Sequence, residues 1–184
     1  MVLTKTPICN FGEKPLDFNL KGVDGKNYKL LDCLGEKATL IMFICNHCPY
    51  VKAIIKYLVE DLNNLSKFGV KSVAIMSNDI INYPEDSYEN IKLFSKKYNF
   101  HFPYLIDETQ DIAKKYGAVC TPDFFGYNKN AELQYRGRYI ELKDLTPINN
   151  GESDLKRALK LITKTQNGPK NQIPSMGCNI KWIK

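Results

Sequence analysis

No stretch of the chain approaches the roughly 18 uninterrupted apolar residues of a membrane-spanning helix, so no membrane span is expected. The opening Met1-Val2-Leu3-Thr4-Lys5-Thr6-Pro7 has neither an apolar core segment nor a small-residue cleavage site. A secretory leader is therefore not expected, and a cytoplasmic location follows as the default reading. Blocks of like charge are missing too. The net charge of +6 comes from lysines scattered along the chain, so the basic stripe of a nucleic-acid binder is absent and no nucleic-acid partner is expected. There are no internal repeats and no low-complexity segments. Histidine occurs only 2 times and tryptophan once. No second Cys/His pair stands at metal-ligand spacing, which argues against a zinc knuckle.

What is present is an ordinary globular composition, 43% hydrophobic and 25% charged over 184 residues, enough for one sizeable core. Two short alternating segments between Leu16 and Leu31 flank Asp24-Gly25, a hairpin turn signal. Thr39 to Ile44 is a continuous apolar run and reads as a buried central strand. Val51, Ile54, Ile55, Leu58, Val59, Leu62 and Leu65 then recur at helical spacing, ending at Gly69. Val70 to Met76 reads as a second buried strand and Pro84 to Tyr98 as a second amphipathic helix. Phe102 to Ile106 gives a short strand and Gln110 to Tyr116 a short helix closed by Gly117. A second hairpin is expected from Asp123–Tyr127 and Leu133–Tyr139 around Asn128-Lys129-Asn130. Glu152 to Thr163 is the final helix, and Gln166 to Lys184 is expected to be irregular. Strands alternating with helices imply an α/β sheet covered on both faces.

The six cysteines are Cys9, Cys33, Cys45, Cys48, Cys120 and Cys178. In a cytosolic chain of this size they point to catalysis, metal or packing rather than to a disulfide framework. Cys45-Asn46-His47-Cys48 falls between the apolar strand and the first helix, the setting of a thioredoxin-like redox pair. Unpaired N–H groups at the helix start favour a thiolate, the nucleophilic form. On this reading Cys45, at the helix N-terminus, is the more exposed, lower-pKa thiol that attacks, and Cys48 resolves. His47, when protonated, adds charge beside the pair. Pro122, after Thr121, opens a strand well downstream; the likeness to thioredoxin-fold proteins, which place a cis-proline opposite the redox turn, implies the cis form for it. The bland alternative for it is an ordinary trans proline at a strand start. Cys120 and Cys178 remain possible accessory thiols; Cys120 also reads as a small buried hydrophobe, and Cys9 and Cys33 read as packing.

Three segments carry a family resemblance. They are Phe43-Ile44-Cys45-Asn46-His47-Cys48-Pro49-Tyr50-Val51, Cys120-Thr121-Pro122-Asp123-Phe124-Phe125 and Pro174-Ser175-Met176-Gly177-Cys178-Asn179-Ile180-Lys181-Trp182. Together they resemble a bacterial thioredoxin-like family filed in the alkyl hydroperoxide reductase/thiol-specific antioxidant (redoxin) superfamily. The resemblance implies a thioredoxin-like fold, with a central mixed sheet flanked by helices, an N-terminal β-hairpin and a C-terminal tail. It also implies a thiol-redox role. Residues 1–165 are expected as one domain, with residues 166–184 docked on it. Peroxidases of the superfamily carry Pro-x-x-x-Thr/Ser-x-x-Cys at the peroxidatic thiol. Here Met42 and Ala38 stand at those places before Cys45, and Cys45 and Ile41 before Cys48. His47 resembles the Cys-Pro-His-Cys turn of oxidising thiol oxidases, with Asn46 in place of proline.

The expected function is thiol–disulfide exchange on protein or small-molecule disulfides, with a thiol electron donor, no cofactor and no metal. The alternatives are a thiol peroxidase, and a metal-binding or metal-delivery module using Cys45, Cys48 and Cys120 or Cys178. The tail holds too many apolar groups for a solvated terminus. About 19 residues can span roughly 60 Å when extended, so it can reach most faces. It is expected to dock with Trp182 in an apolar groove, holding Cys178 either near the redox turn or packed elsewhere.

Overall fold

In a computed structural model of the chain, the apolar run Thr39–Ile44 is buried throughout, and all of it but Ile44 lies in the interior strand Ala38–Phe43 of the main sheet. Residues 3–148 and 151–184 are described; Met1, Val2, Asn149 and Asn150, which fall within the expected 1–165 domain, lie outside the described residues. The elements run β1 (Leu3–Lys5), β2 (Asn19–Gly22), β3 (Asn27–Lys29), α1 (Leu30–Cys33), β4 (Ala38–Phe43), α2 (Pro49–Leu65) and β5 (Val70–Met76). They continue with α3 (Tyr88–Lys97), β6 (Tyr104–Ile106), α4 (Asp111–Lys115), β7 (Cys120–Thr121), β8 (Asp123–Asn128) and β9 (Leu133–Tyr135). The chain closes with β10 (Leu142–Lys143), β11 (Thr146–Pro147), α5 (Asp154–Thr165) and β12 (Met176–Asn179).

Seven strands form the main sheet in the order β3-β2-β6-β5-β4-β8-β9. β4 runs parallel to β5 and antiparallel to β8, so the sheet is mixed. Every residue of β4 is buried, because alternate side chains enter two different cores. Leu40 and Met42 pack with Ile54, Ile55 and Leu58 of α2 and with Leu159 and Ile162 of α5. Ile41 and Phe43 face the other way, onto Ile112 and Ala113 of α4, Phe18 and Phe125. A strand covered on both faces has no polar side to show, which is why its sequence is a continuous apolar run. Asp24-Gly25 makes the expected turn between β2 and β3, with Gly25 at φ +83°. Among the described residues, no helix is long and apolar enough to cross a membrane.

Three elements depart from the sequence reading. The helix expected over Pro84–Tyr98 breaks into a 3-10 turn at Pro84–Asp86 and α3, with Ser87 extended between them (ψ 158°). The break turns Asp86 inward. The second arm of the late hairpin stops at Tyr135, where Arg136 folds in to pair with buried Asp123 at 2.9 Å. The tail, expected to be irregular, forms β12, which inserts between β1 and β7 in a separate antiparallel sheet.

Trp182 is not the anchor of the tail. It is 38% exposed, with the Lys114 ammonium 5.8 Å from its ring centre, whereas Ile180 is 1% exposed and sits in the second core. The tail is held instead by its backbone. Thr6 N donates to Ser175 O at 2.9 Å, Asp79 N to Lys181 O at 2.8 Å, and Ile183 N to Gln110 Oε1 at 2.8 Å. Gly177 lets β12 approach β7 this closely, since a Cβ there would stand 1.9 Å from the Thr121 carbonyl oxygen. Gly177→Ala is therefore expected to push the strands apart and cost about 1–3 kcal/mol, the range for forced overpacking. Urea unfolding and the alkylation rate of Cys178 check it. The variant should show a lower midpoint and faster labelling, and wild-type values for both would show that the close approach is not needed.

Candidate active site

β4 ends at Phe43 and α2 begins at Pro49, and the turn between them carries Cys45, Asn46, His47 and Cys48. Pro49 at the first helical position fits, because that N–H would have no helical partner anyway. Cys48 is the N-cap of α2. Cys45 lies three residues earlier, in the turn, so the expectation that Cys45 occupies the helix terminus is corrected. So is the expectation that it is the exposed thiol: Cys45 is 1% and Cys48 0% exposed.

The opposite wall is the Thr121-Pro122 segment, whose peptide bond is cis. Thr121 meets both thiols, with Oγ1 3.3 Å from Cys45 Sγ and its carbonyl accepting from Cys48 Sγ at 3.1 Å. β12 supplies a third sulfur, Cys178 Sγ, 3.0 Å from Cys48 Sγ. Cys120 packs below, its Sγ 3.9 Å from the Pro122 carbonyl, and burial pushes its thiol pKa up. Cys33 is buried and Cys9 half-buried, each with its thiol pushed up to about 11 by burial.

The electrostatics divide the pair. Contact with the Cys178 and Cys45 thiols, then the N–H groups of Cys178 and Val51, holds the Cys48 thiol well below its ordinary range. Burial raises Cys45, reinforced by its contact with Cys48 and by the Asp86 charge. The leading cause is sulfur contact, above all with the third sulfur on β12; the helix-start N–H groups that the sequence invoked enter only through Val51, as a smaller contribution, and they act on the residue that caps the helix. These contacts draw the negative charge that the two thiols share toward Cys48.

Asp86 is the residue that the sequence reading missed. It is 0% exposed and its carboxylate organises the turn. Oδ1 accepts from Asn46 N at 2.7 Å and His47 N at 3.3 Å; Oδ2 accepts from Asn78 Nδ2 at 2.8 Å and lies 2.6 Å from His47 Nδ1. The missed signal was Pro84 and Ser87 inside the supposed helix. Ser87 is a favoured N-cap type, and placing the helix start there leaves Asp86 outside it. His47 is thus engaged by a carboxylate, and it reaches the thiols only as a charge. Its other face stacks on Tyr83, with ring centres 5.5 Å apart, and the Lys181 ammonium from the tail lies 5.7 Å from the Tyr83 ring. Cys45, His47 and Asp86 also offer ligand atoms within 4.8 Å of one another, a spacing open to a metal ion. This differs from the all-cysteine set anticipated for a metal module. The Asp86 oxygens are already taken by the donors of the turn, so the arrangement is accounted for as scaffolding.

The hydrogen bond to Asp86 raises the His47 pKa above its ordinary value. A raised folded-state pKa stabilises fully below the unfolded value of about 6.5 and loses that contribution as pH rises through the folded value. Asp86→Asn is expected to return the His47 ring titration, read by NMR, to about 6.5 or below. It should cost about 2–3 kcal/mol near pH 6, in the range for a hydrogen bond to a charged partner. The loss should shrink at alkaline pH without vanishing, because the Asn46 and Asn78 bonds do not titrate. An unmoved His47 titration would remove Asp86 from this role.

The chain is similar to several known proteins. Residues 11–141 match the AhpC/TSA family. A Bacillus thuringiensis protein named thiol-disulfide oxidoreductase ResA is 25% identical over 152 residues, which cover 78% of this chain and 83% of the relative. The crystal structure of an uncharacterized conserved protein from Geobacillus kaustophilus superposes with a TM-score of 0.89 at 41% identity, covering 100% of this chain and 97% of that one. A secreted Mycobacterium tuberculosis disulfide oxidoreductase, homologous to the Escherichia coli protein DsbE, shares the fold with a TM-score of 0.55 at 20% identity over 64% of this chain and 80% of its own. The mixed sheet, the thiol-bearing turn at the start of α2 and a family match spanning most of the chain make this protein a thioredoxin-fold oxidoreductase that belongs to the AhpC/TSA family.

Proposed function

We propose that the protein is a thiol–disulfide oxidoreductase whose Cys45–Cys48 pair cycles between dithiol and disulfide. The observation that carries this is the contact of both thiols with one residue, Thr121, directly before the cis-proline. Cys45 attacks a substrate disulfide and forms a mixed disulfide; Cys48 then attacks Cys45 Sγ, releasing the substrate thiol. The two thiols share a proton. When Cys48 holds it, with the Thr121 carbonyl accepting, Cys45 is the thiolate. The charge that favours Cys48 at rest also readies it for the resolving step.

A groove of about 370 Å³ lies beside the start of α2 and the cis-proline, lined by Tyr50, Pro122, Ile140 and Met176 and by the charged Lys5, Arg138 and Asp144. Its mixed apolar and charged walls suit an extended segment of a protein substrate or a small organic disulfide, and a thiol donor supplies the electrons. The ResA relative supports this branch by name.

A peroxidase reading requires a hydroxyl and a guanidinium together around the attacking sulfur. Thr121 Oγ1 does stand at Cys45. The arginines, however, are committed elsewhere: Arg136 to Asp123 and the Gly117 carbonyl, Arg138 to Glu141 and Asp154, and Arg157 to Asp154. Reduced protein should therefore consume hydrogen peroxide only as fast as an ordinary thiol while it reduces a model disulfide catalytically. Cys45→Ser should abolish that turnover, and Cys48→Ser should accumulate a mixed disulfide at Cys45 that mass spectrometry identifies. Peroxide turnover orders of magnitude faster, with slow disulfide reduction, would select the peroxidase branch instead.

A further inference from the structure

The catalytic pair needs two sulfurs, and the site holds a third that the exchange cycle leaves unused. Cys178 reaches the site on β12, a strand paired on one side with β1 and on the other with β7. Its register partner on β7 is Thr121, the residue that contacts both catalytic thiols. Two independent features hold it there. Gly177 allows a backbone approach that no larger residue permits, and Ser175 fastens the strand by donating from Oγ to the Pro122 carbonyl at 2.7 Å. The resulting Cys48–Cys178 sulfur separation of 3.0 Å needs to close by only about 1 Å to reach a disulfide bond of about 2.05 Å.

We propose that Cys178 is a third redox thiol of this centre, which takes the disulfide over from Cys45 by exchange at Cys48. The proposal rests on the thiol–disulfide reading of the Cys45–Cys48 pair. In the step, the Cys178 thiolate attacks Cys48 Sγ of the Cys45–Cys48 disulfide. The Cys48–Cys178 bond forms, the Cys45–Cys48 bond breaks, and Cys45 leaves as a thiolate that takes up the proton Cys178 gave up. Nothing is oxidised or reduced overall, so no further reactant is required. The oxidising equivalent passes from the turn to the tail strand, and Cys45 returns as a free thiol.

In the reduced centre the leading cause that raises the Cys178 pKa is its contact with Cys48. That cause disappears once Cys48 is in a disulfide, while the Lys181 ammonium, which favours the Cys178 thiolate, remains. Burial, the second cause, still holds the thiol up, so Cys178 ionises more readily than in the reduced centre, and the 3.0 Å approach to Cys48 supplies the rest. Cys48, bonded in turn to Cys45 and to Cys178, is the common element of both disulfides.

The test maps disulfides by peptide mass spectrometry after oxidation with oxidised glutathione and quenching with an alkylating agent at low pH. In the wild-type chain, Cys45–Cys48 should be found together with Cys48–Cys178, the latter in molecules whose Cys45 carries the alkyl label. Cys178→Ser should lose the molecules with an oxidised centre and a labelled Cys45. Cys45→Ser, a substitution of similar size whose folding circular dichroism verifies, should form Cys48–Cys178 and lose two titratable thiols. Wild type with Cys45–Cys48 only, and Cys45→Ser with Cys178 always labelled, would overturn the third thiol and leave the two-cysteine enzyme intact. Wild type with neither disulfide would overturn both.

Discussion

A buried carboxylate in an apolar interior is tolerable only when its oxygens are satisfied, and Asp86 meets that condition by gripping the Cys45–Cys48 turn. Its oxygens take the N–H groups of Asn46 and His47, the Asn78 amide and the His47 ring. Those N–H groups belong to a loop that must leave β4, pass two sulfurs and enter α2 within a few residues. Without an internal acceptor they would be stranded or would turn to solvent, taking the thiols with them. The geometry of the pair thus depends on a residue from a different part of the chain. Tyr104 adds a second tie, its hydroxyl donating to Asn46 Oδ1 at 3.3 Å.

The opposite wall has the same logic, with backbone in place of a side chain. Thr121 presents a hydroxyl to Cys45 and a carbonyl to Cys48, and its strand is itself fixed by β12. The C-terminal segment is accordingly part of the wall of the candidate site. Its Lys181 also lies over Tyr83, the ring that stacks on His47. Turn, cis-proline segment and tail form one unit, each positioned by hydrogen bonds to the next.

Much of this could be read from the sequence, and what could be read was local. The strand–turn–helix run around Cys45 and Cys48 shows in an apolar stretch followed by helical spacing, and the cores of β4 and α2 follow from those patterns. The Asp24-Gly25 turn has its own chemistry and formed where expected. Asp86 did not show, because its role depends on partners some forty residues away and its neighbours, taken alone, continue a helical pattern. β12 was hidden for a related reason. Gly177 and Pro174 are poor strand residues by propensity, and only contact with Thr121 explains the glycine. Trp182 misled as an anchor because size suggested burial, whereas strand register placed Ile180 inward. The division of charge between the cysteines was also out of reach, since it turns on which residue caps α2 and on a third sulfur brought in by the tail.

The central claim is that reversible two-electron thiol chemistry passes through Cys48, the sulfur in contact with both of its potential partners. The most direct test is to equilibrate the protein in glutathione buffers of graded redox ratio and to follow the free thiols per chain. The account predicts a reversible two-electron transition in the wild-type protein that disappears in Cys48→Ser. A transition that survives in Cys48→Ser, or oxidation that the reduced buffers cannot reverse, would contradict it.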